Sequence, residues 1–474
     1  MPNRPPCSSR VRNVSEQPGS ATPDLKNLAR SIFEHALSDC RIDRSFDRTL
    51  RITAGAPGTH LVLNGENVVA LDRLKRARIV AIGKAAAPML TSLLSRLLLP
   101  PTCDLQGVLI AVERPQNLPP VIQFFAGGHP TPNHASFTGA RAALSMLHAL
   151  GDAKADDTLC IFLISGGASA MMELPLDPSI SLDDTVAFHH ALVHCGASIV
   201  EINCVRKHFS AVKGGRLALA AGNAQNISLL VSDVPPAHLD ALASGPTLPD
   251  PTTVDQCREI IARYKLLDRF PPSIRRFFTA PHLAESPKPN ELTSRCWKLL
   301  DSDELGEAAR NHATQLGFHA VIDNTCDDWS YDAAADYLLN RMRQLRRQHP
   351  RVCLISTGEV TVQVADTPAP AAAERTQHIG GRNQHLALYL ATQLQPADTP
   401  IAVLSAGSDG IDGNSRAAGA VIDEHTLNSN ERRTSAQQAL EAFDSSTFLS
   451  DLGATIVTGP TGQNLRDLRI LLAR

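Results

Sequence analysis

The sequence predicts an α/β protein with two domains, in which parallel sheets are covered by helices on both faces. The chain has 474 residues, which is more than a single hydrophobic core usually supports. Short apolar runs alternate with amphipathic helical segments, and this alternation is typical of parallel sheets. A proline-rich stretch without clear periodicity, residues 270–295, indicates a connector between the domains.

The individual elements follow from the spacing of apolar residues. A first helix is expected from residue 25, because Thr22-Pro23-Asp24 offers a cap and apolar residues then recur at helical spacing. Eight later apolar runs predict strands, at 79–82, 108–112, 159–164, 227–231, 320–323, 352–355, 401–404 and 454–457. Helical patterns are expected around 140–150, 184–198, 331–346 and 385–393.

Composition and charge argue against several classes of function. The formal net charge is −3, so the chain lacks the excess of positive charge that would attract a nucleic acid, and no nucleic-acid partner is expected. The chain has no run of about 18 apolar residues, so no membrane span is expected. The ten cysteines show neither a C-x-x-C pair nor zinc-ligand spacing, which indicates reduced thiols in the cytoplasm.

The chain is expected to divide into three parts. Residues 1–21 are rich in Pro, Ser and Arg and lack an apolar segment, so they are predicted to be a disordered leader. The predicted N-terminal domain spans 22–290, and the C-terminal region spans 291–474.

Lys84 lies in the stretch RIVAIGKAAAPML, residues 78–90, where a buried strand runs through Gly83 into a helical segment. Ligands of open α/β sheets sit at the carboxyl ends of strands, close to helix N-termini. The stretch is not a Walker A loop, because Arg78 and Ala85 stand where that loop needs Gly and Ser or Thr. Lys84 is therefore either a surface lysine in a turn or a cation that contacts a phosphate or carboxylate.

A second strand end carries two glycines between two serines, Ser165-Gly166-Gly167-Ala168-Ser169. Glycines let a backbone approach a ligand closely, and successive N–H groups at a helix start form an anion-binding nest. A tight structural turn would also use two glycines. The flanking serines favour the interpretation that this turn binds phosphate.

A run of basic residues follows in VRKHFSAVKGGR, residues 205–216, and includes Arg206 and Lys213. Such a run usually forms a solvated basic face. The glycine pair after Lys213 equally suits the binding of a polyanionic ligand.

Polar residues also follow other strand ends. Asp233 comes directly after an apolar strand, which is a position typical of a metal ligand, a base or a turn cap. The C-terminal third repeats the pattern at Gly358, Glu359, Arg382, Asn383, Asp409 and Asn464. Carboxylates on glycine turns suit Mg²⁺, which makes Asp233, Glu359 and Asp409 candidate ligands. The accumulation of these groups at strand ends favours an enzyme that acts on a nucleotide or phosphate.

Seven motifs together resemble the glycerate kinase family whose second domain is called the MOFRL domain. In chain order they are GGHPTPNHAS, SGGASA, VRKHFSAVKGGRLA, ASGPTLPDPTT, GGRNQH, SDGIDG and TGPTGQNLRDL. The resemblance covers almost the whole chain from about residue 25. Seven motifs in the family's order are specific, whereas a single one is not.

The resemblance implies a larger Rossmann-like N-terminal domain, a smaller C-terminal α/β domain (MOFRL, core about 350–474) and a cleft between them. It implies an ATP-dependent kinase that phosphorylates D-glycerate, with Mg²⁺ as cofactor and the 2-hydroxyl favoured over the 3-hydroxyl. Lys84 and Arg382 match two functional positions of the family and are implied to be catalytic, one in each domain. Candidates for binding substrate or nucleotide are Ser165, Gly166, Gly167, Ser169, Arg206, Lys213, Gly358, Asn383 and Asn464.

The sequence departs from the family pattern at three places. His385 stands where the family often has Glu, Asn414-Ser415-Arg416 replace a more acidic stretch, and Gln463 and Arg466 alter the tail of the last motif.

Two other functions and one assembly are weighed beside the kinase. A hydroxypyruvate or 2-keto-acid reductase would act on a neighbouring metabolite, but no G-x-G-x-x-G follows a strand. A non-catalytic module that binds sugar phosphates or nucleotides would keep the glycine turns without needing Lys84 and Arg382 in opposite domains. A homodimer is an open expectation.

Overall fold

The computed structural model describes residues 24–55, 58–151, 154–292, 295–363 and 378–474. The predicted leader, 1–21, and the predicted start of the fold at residue 22 lie outside the described residues. The first helix is present where it is predicted. Asp24 caps it by accepting a hydrogen bond from the Lys26 N–H at 3.3 Å.

The described residues form fifteen α-helices, many of which begin at a polar cap. The N-terminal half contains α1 (Leu25–Asp39), α2 (Ile42–Thr49), α3 (Ala86–Leu94), α4 (His134–His148), α5 (Ala168–Met171), α6 (Leu182–Val193), α7 (Ile199–Phe209), α8 (Arg216–Leu219), α9 (Val254–Arg263) and α10 (Pro272–Phe278). The C-terminal half contains α11 (Ser302–Gln315), α12 (Tyr331–Arg346), α13 (Arg382–Gln393), α14 (Asn430–Glu441) and α15 (Ser445–Asp451). A Ser, Thr, Asn or Asp side chain accepts a backbone N–H at the start of α4, α6, α7, α9, α11 and α14.

A small antiparallel sheet precedes the first large one. Its strands are β1 (Leu50–Gly55), β2 (Gly58–Leu63) and β3 (Glu66–Ala70), in the order β1-β2-β3. None of the eight predicted strands covers this hairpin pair.

The N-terminal half is built on a six-stranded sheet in which every pair is parallel. Its strands are β4 (Arg76–Ile82), β5 (Asp104–Ala111), β6 (Ile122–Ala126), β7 (Thr158–Ser165), β8 (Gln225–Val231) and β9 (Arg295–Leu300). The order β6-β5-β4-β7-β8-β9 reverses direction between β4 and β7. Ligands of doubly wound sheets bind at such a switch point, outside the carboxyl ends of the strands.

The C-terminal half is built on a second six-stranded sheet, which is mixed. Its strands are β10 (His319–Ile322), β11 (Val352–Gly358), β12 (Ile401–Gly407), β13 (Gly419–Asp423), β14 (Thr455–Ile456) and β15 (Asp467–Ala473). Only β10 and β11 pair in parallel, and β15 lies between β11 and β12, antiparallel to both. The prediction of a parallel sheet was therefore wrong for this half, because alternation along the chain does not reveal a last strand that inserts between two earlier ones.

The insertion of β15 brings three loops together at one edge of the second sheet. In the register of the sheet, Asp467 at the start of β15 lies opposite Gly358 at the end of β11 and Gly407 at the end of β12. The loops that follow β11 and β12 therefore flank the loop that precedes β15.

The two halves share a packed core. Helix α1 packs against β12, β15 and α11, although it precedes the first sheet in the chain. Strand β9 completes the first sheet at 295–300, beyond the predicted boundary at 290. The division at 290 stays a prediction, and the chain passes from one sheet to the other after Leu300.

All eight predicted strands are confirmed by strands that overlap them, whereas β6, β9, β13 and β15 were not predicted. The described part of the chain contains no helix that is long and apolar enough to span a membrane.

Candidate active site

Lys84 lies at the switch point of the first sheet, in the turn between β4 and α3. Its N–H donates to the Gly166 carbonyl at 2.9 Å, and the next N–H, of Ala85, donates to Ser165 Oγ at 3.0 Å. Gly83 has a φ of +113°, and a Cβ there would collide with Ser165. The turns after β4 and β7 are thus bonded to each other, and Ser165 is buried as part of that junction.

The glycine pair after β7 brings three functional groups together. A Cβ on Gly166 would collide with the Asp233 carboxylate, which follows β8. Gly167 has a φ of +80°, and a Cβ there would lie 3.0 Å from His129 Cδ2 and 3.2 Å from Lys84 Cγ. Lys84, Asp233 and His129 therefore surround the glycine pair. His129 was not assigned a role, although it belongs to the quoted motif GGHPTPNHAS.

This N-terminal cluster contains an exposed cation. The Lys84 side chain is exposed and forms no ion pair with any residue that the structure describes. Burial raises the pKa of Asp233, and the charges of Lys84 and Arg466 oppose that shift. Burial and the neighbouring Lys84 lower the pKa of His129, so its imidazole is neutral at pH 7. The cluster can attract an anion and can accept a proton at Asp233.

Two lysines of the basic run are buried and paired. Lys213 Nζ lies 2.6 Å from Glu173 Oε2, which His189 Nε2 approaches at 2.9 Å. Burial alone would raise the pKa of Glu173, but Lys213 and His189 bring it down to about 2. Lys207 is likewise buried and lies 2.9 Å from Asp240. The solvated basic face is therefore wrong, and Lys213 is committed to an internal ion pair rather than to a ligand.

Arg206 lies within electrostatic reach of this ion pair, and Ser169 is connected to the same helix, α7, through Ser244. Ser169 Oγ is 2.8 Å from Ser244 Oγ, and Ser244 donates to Asn203 Oδ1 at 2.9 Å. Arg206 lies one helical turn beyond Asn203 on α7, and its Nε is buried without a hydrogen-bond partner among the described residues.

Arg382, the first residue of α13, is held by two carboxylates. Its Nε donates to Asp467 Oδ2 at 2.6 Å, and its Nη2 lies 3.1 Å from Asp467 Oδ1 and 2.8 Å from Glu359 Oε1. Burial disfavours the charge of Arg382, but Asp467 and Glu359 outweigh burial and raise the pKa. The guanidinium is permanently charged, and its Nη1 takes part in none of these contacts.

The candidate metal ligands do not form one group. Glu359 pairs with Arg382, and burial raises its pKa. Asp409 is half-buried and accepts the Ile411 N–H at 3.1 Å. Asp233 follows a strand of the other sheet. Within the described ranges, no three His, Cys, Asp or Glu side chains are grouped to hold a metal ion.

Asn383 and Gly358 support the site from inside the protein. Asn383 is buried, its N–H donates to Asp412 Oδ1 at 3.0 Å, and its side chain accepts from Ser405 at 2.6 Å. Asp412 thereby caps α13, because it also accepts the Gln384 N–H at 2.8 Å. At Gly358, with a φ of +109°, a Cβ would collide with Asp327. Asn383 thus has a structural role in this arrangement, and its role in binding substrate or nucleotide stays a prediction.

Arg466 links the two clusters and was noticed in the sequence only as a departure. Its Nη1 lies 2.6 Å from Asp327 Oδ2, and its φ of +67° is left-handed. The charge of Arg466 affects the pKa of Asp233, and that of Asp233 affects the pKa of Glu359. The two strand-end clusters therefore lie within electrostatic reach of each other. No sequence pattern pointed to Asp327.

A cavity of about 630 Å³ opens beside Arg382. Glu359, Asp409 and Asn464 contribute its polar wall, and His385 and Phe443 contribute an aromatic wall. The volume lies in the range of small-molecule and cofactor sites.

The departures from the family pattern have structural roles. His385 is buried against Tyr331 and Phe443, and burial lowers its pKa to about 4, so the imidazole is neutral. Asn414 accepts the Gly380 N–H at 2.9 Å and donates to the His378 carbonyl at 2.9 Å. These residues hold the loop before α13 by neutral hydrogen bonds and packing.

The chain is similar in sequence and in structure to known proteins. Residues 28–279 match the family described as Domain of unknown function (DUF4147), and residues 352–467 match the MOFRL family. A D-glycerate 2-kinase of Thermotoga maritima is 33% identical over 405 residues, which are 84% of this chain and 90% of that protein. A glycerate 2-kinase of Pyrococcus horikoshii is 33% identical over 359 residues, 74% of this chain and 78% of that protein. The crystal structure of glycerate kinase from Thermotoga maritima superposes with a TM-score of 0.77 at 30% identity and covers 95% of this chain and 99% of that one.

Proposed function

The chain belongs to the glycerate kinase family with DUF4147 and MOFRL domains, and from that premise we propose that it phosphorylates D-glycerate with ATP at the 2-hydroxyl. The observation that carries the proposal is the exposed ammonium of Lys84 at the switch point, beside the glycine pair and the Asp233 carboxylate. Phosphoryl transfer requires positioning and neutralisation of charge on the transferred group, with little covalent chemistry from the protein.

In the proposed reaction the 2-hydroxyl oxygen of glycerate attacks the γ-phosphorus of ATP. The bond from that phosphorus to the bridging β,γ-oxygen breaks, ADP leaves, and the hydroxyl proton passes to Asp233. The raised pKa of Asp233 suits a group that accepts a proton. Lys84 neutralises the charge on the equatorial phosphoryl oxygens, and the N–H groups of Gly166 and Gly167 hold a phosphate oxygen.

Arg382 is proposed as the second phosphate-handling cation. Asp467 and Glu359 fix its plane and leave Nη1 to face a ligand. Closure of the two halves on substrate would bring Arg382 and Lys84 to opposite sides of the transferred group. The cavity beside Arg382, which Asn464 lines and whose lining residue Glu359 directly follows Gly358, is proposed to take the nucleotide.

Mg²⁺ fits this scheme as the ion that accompanies ATP. It needs only one or two protein carboxylates, since waters and phosphate oxygens complete its shell. Asp409 would hold it, because this carboxylate is half-buried on the cavity wall and forms no ion pair within the described part of the chain. When bound, Mg²⁺ offsets the phosphate charge.

We also propose a cellular compartment and partners for the enzyme. We place the protein in the cytoplasm, since none of the nine cysteines that the structure describes forms a disulfide. The near-neutral net charge supports the absence of a nucleic-acid partner. A homodimer stays a prediction. The reductase alternative is not favoured, because the turn after β4 reads Gly83-Lys84-Ala85 rather than a dinucleotide-binding glycine pattern.

A single assay tests the proposal. The protein is incubated with D-glycerate and MgATP, and phosphorus and carbon NMR identify the product. We expect a phosphate coupled to C2, with L-glycerate as a poor substrate. A second reaction with hydroxypyruvate and a reduced nicotinamide cofactor, followed by absorbance, is expected to show no oxidation. Absence of any phosphorylated glycerate would refute the proposal, and coupling to C3 would correct its regiochemistry.

A further inference from the structure

Arg206 is a cation of the N-terminal half to which the proposed reaction assigns no role. Its side chain is half-buried, and its Nε has neither exposure to solvent nor a hydrogen-bond partner among the described residues. A buried polar nitrogen without a partner is unfavourable in the ligand-free protein. We propose that Arg206 binds the carboxylate of glycerate, an inference that rests on the proposed kinase function.

The charges around Arg206 favour a ligand with one negative charge. Lys213 and Glu173 form a buried ion pair and cancel. Burial lowers the pKa of His189, which therefore adds no charge near neutrality. One guanidinium charge remains, and it matches a monocarboxylate. A triphosphate chain would require several cations, and the nearby Lys207 is already paired with Asp240. Arg also presents a planar pair of donors that fits a carboxylate.

A chain of contacts connects Arg206 to the proposed reaction centre. Gly167 lies against Lys84, and two residues further on Ser169 lies 2.8 Å from Ser244. Ser244 in turn donates to Asn203 at 2.9 Å.

Asn203 and Arg206 are three residues apart on α7 and therefore share one face of that helix. The segment 166–173, which starts at the glycine pair, ends at Glu173, and the charge of Glu173 acts on Arg206. Lys84 and Arg206 thus lie at the two ends of one eight-residue segment.

This placement explains a preference for the 2-hydroxyl. In glycerate the 2-hydroxyl is attached to the carbon next to the carboxylate, whereas the 3-hydroxyl is separated from it by one more rotatable bond. A carboxylate fixed by Arg206 therefore fixes the 2-hydroxyl more closely than the 3-hydroxyl. Arg206 acts as a substrate-binding and specificity-determining residue.

The test compares Arg206→Gln and Arg206→Lys with the unchanged full-length enzyme. For Arg206→Gln we expect KM for D-glycerate to rise on the order of 100-fold and KM for ATP to stay within about twofold. Arg206→Lys should recover part of the affinity. Discrimination between D-glycerate and its neutral amide should shrink by a similar factor in Arg206→Gln, because the lost contact is to the carboxylate. Titration calorimetry with D-glycerate alone measures the same loss without turnover.

Two further measurements separate binding from a structural role. Arg206→Met removes a half-buried cation whose Nε is buried without a partner among the described residues, so we expect its Tm to equal or exceed that of the unchanged protein, whereas a structural role would lower the Tm. Arg263→Gln serves as the matched control, since Arg263 pairs with Glu201 of α7 at 2.7 Å on the surface. It should leave both KM values unchanged.

The outcomes distinguish this inference from the proposed function. A protein that binds D-glycerate in calorimetry only when Arg206 is present, but never phosphorylates it, supports Arg206 and refutes the kinase. Unchanged glycerate binding in Arg206→Gln refutes the inference while the kinase stands. A rise in KM for ATP in place of glycerate would show that Arg206 binds phosphate and would also overturn it.

Discussion

The two strand-end clusters contain similar residues but differ in how their cations are satisfied. In the N-terminal cluster Lys84 is exposed and forms no ion pair in the described part of the chain. In the C-terminal cluster Arg382 is bound by Asp467 and Glu359. Glycine turns place each cation at the edge of its sheet.

The difference shows that a cation at a strand end is not by itself a binding site. The charge of an ammonium without an ion-pair partner is available to a ligand. Removing that ammonium should therefore weaken ligand binding or catalysis more than it lowers the stability of the fold. A guanidinium held by carboxylates, of which Asp467 is buried, contributes to both ligand binding and stability, since its partners become unpaired charges when it is lost. The C-terminal cluster also has more carboxylates than cations, so phosphate groups would enter it together with Mg²⁺.

The largest effect is expected from Lys84→Ala, which tests the free cation. We expect kcat to fall by about 10³-fold, because the variant loses a charge that stabilises the transferred phosphoryl group. The far-ultraviolet circular dichroism spectrum and the Tm should stay unchanged, since Lys84 makes no ion pair with a described residue. Steady-state kinetics with D-glycerate and MgATP measure the loss.

Lys75→Ala is the matched control for this variant. Lys75 precedes the same strand, β4, at its opposite end, and its side chain is 77% exposed beside Asp157. Its removal should leave kcat within about twofold. If Lys84→Ala kept more than a tenth of the activity, the difference between free and bound cations would not extend to catalysis.

Asp467→Asn should have an intermediate effect, because it releases the bound cation without deleting it. The Asn side chain cannot accept both hydrogen bonds from Arg382, so we expect the free energy of unfolding to fall by about 2 kcal/mol. The loosened guanidinium should also lower kcat/KM by about 10- to 100-fold. Urea unfolding and steady-state kinetics measure the two effects on the same protein.

Asp423→Asn controls for the loss of a carboxylate from the same sheet. Asp423 ends β13 at the opposite edge and pairs with Lys26 at 3.0 Å. It should cost about 1 kcal/mol or less and leave kcat/KM unchanged. Equal losses of activity in the two variants would mean that Asp467 acts only through stability.

Sequence patterns predicted what depends on local order along the chain. Lys84 was placed correctly at the end of a strand, because a strand, a glycine turn and a helix are adjacent in sequence. The parallel first sheet followed from the same alternation, whereas its strand order and switch point came only from the structure.

Contacts between distant segments were beyond the sequence. Lys213 looked like a binding residue, because its partner Glu173 lies 40 positions away and nothing local marks the pair. Strand β15 was missed for the same reason. Its Arg469 is buried and donates to the Thr357 carbonyl at 2.8 Å, across the sheet. A charged or polar side chain can be buried in the core when it has an ion-pair or hydrogen-bond partner there. A single sequence does not show which residues form such pairs.

The smallest effect is expected from His385→Phe. This variant tests a histidine without a hydrogen-bond partner in the C-terminal cluster, where Arg382 is paired with Asp467 and Glu359. His385 Nε2 is buried and has no hydrogen-bond partner among the described residues. Its pKa is lowered from 6.5 to about 4 by burial, so between these values the unfolded chain binds a proton that the folded protein does not. His385 therefore makes stability fall as the pH drops from about 6.5 towards 4, and the difference is about 2 kcal/mol at pH 5.

His385→Phe removes this titration and keeps an aromatic ring beside Phe443. We expect its free energy of unfolding in urea to match the unchanged protein at pH 7.5 and to exceed it by about 2 kcal/mol at pH 5. His425→Gln, at a side chain that is 77% exposed, serves as the surface control for the loss of a histidine. If the free energies of unfolding of His385→Phe and the unchanged protein differed by the same amount at both pH values, the two proteins would differ in packing alone. In that case the C-terminal cluster would contain no unpartnered titrating group at this position.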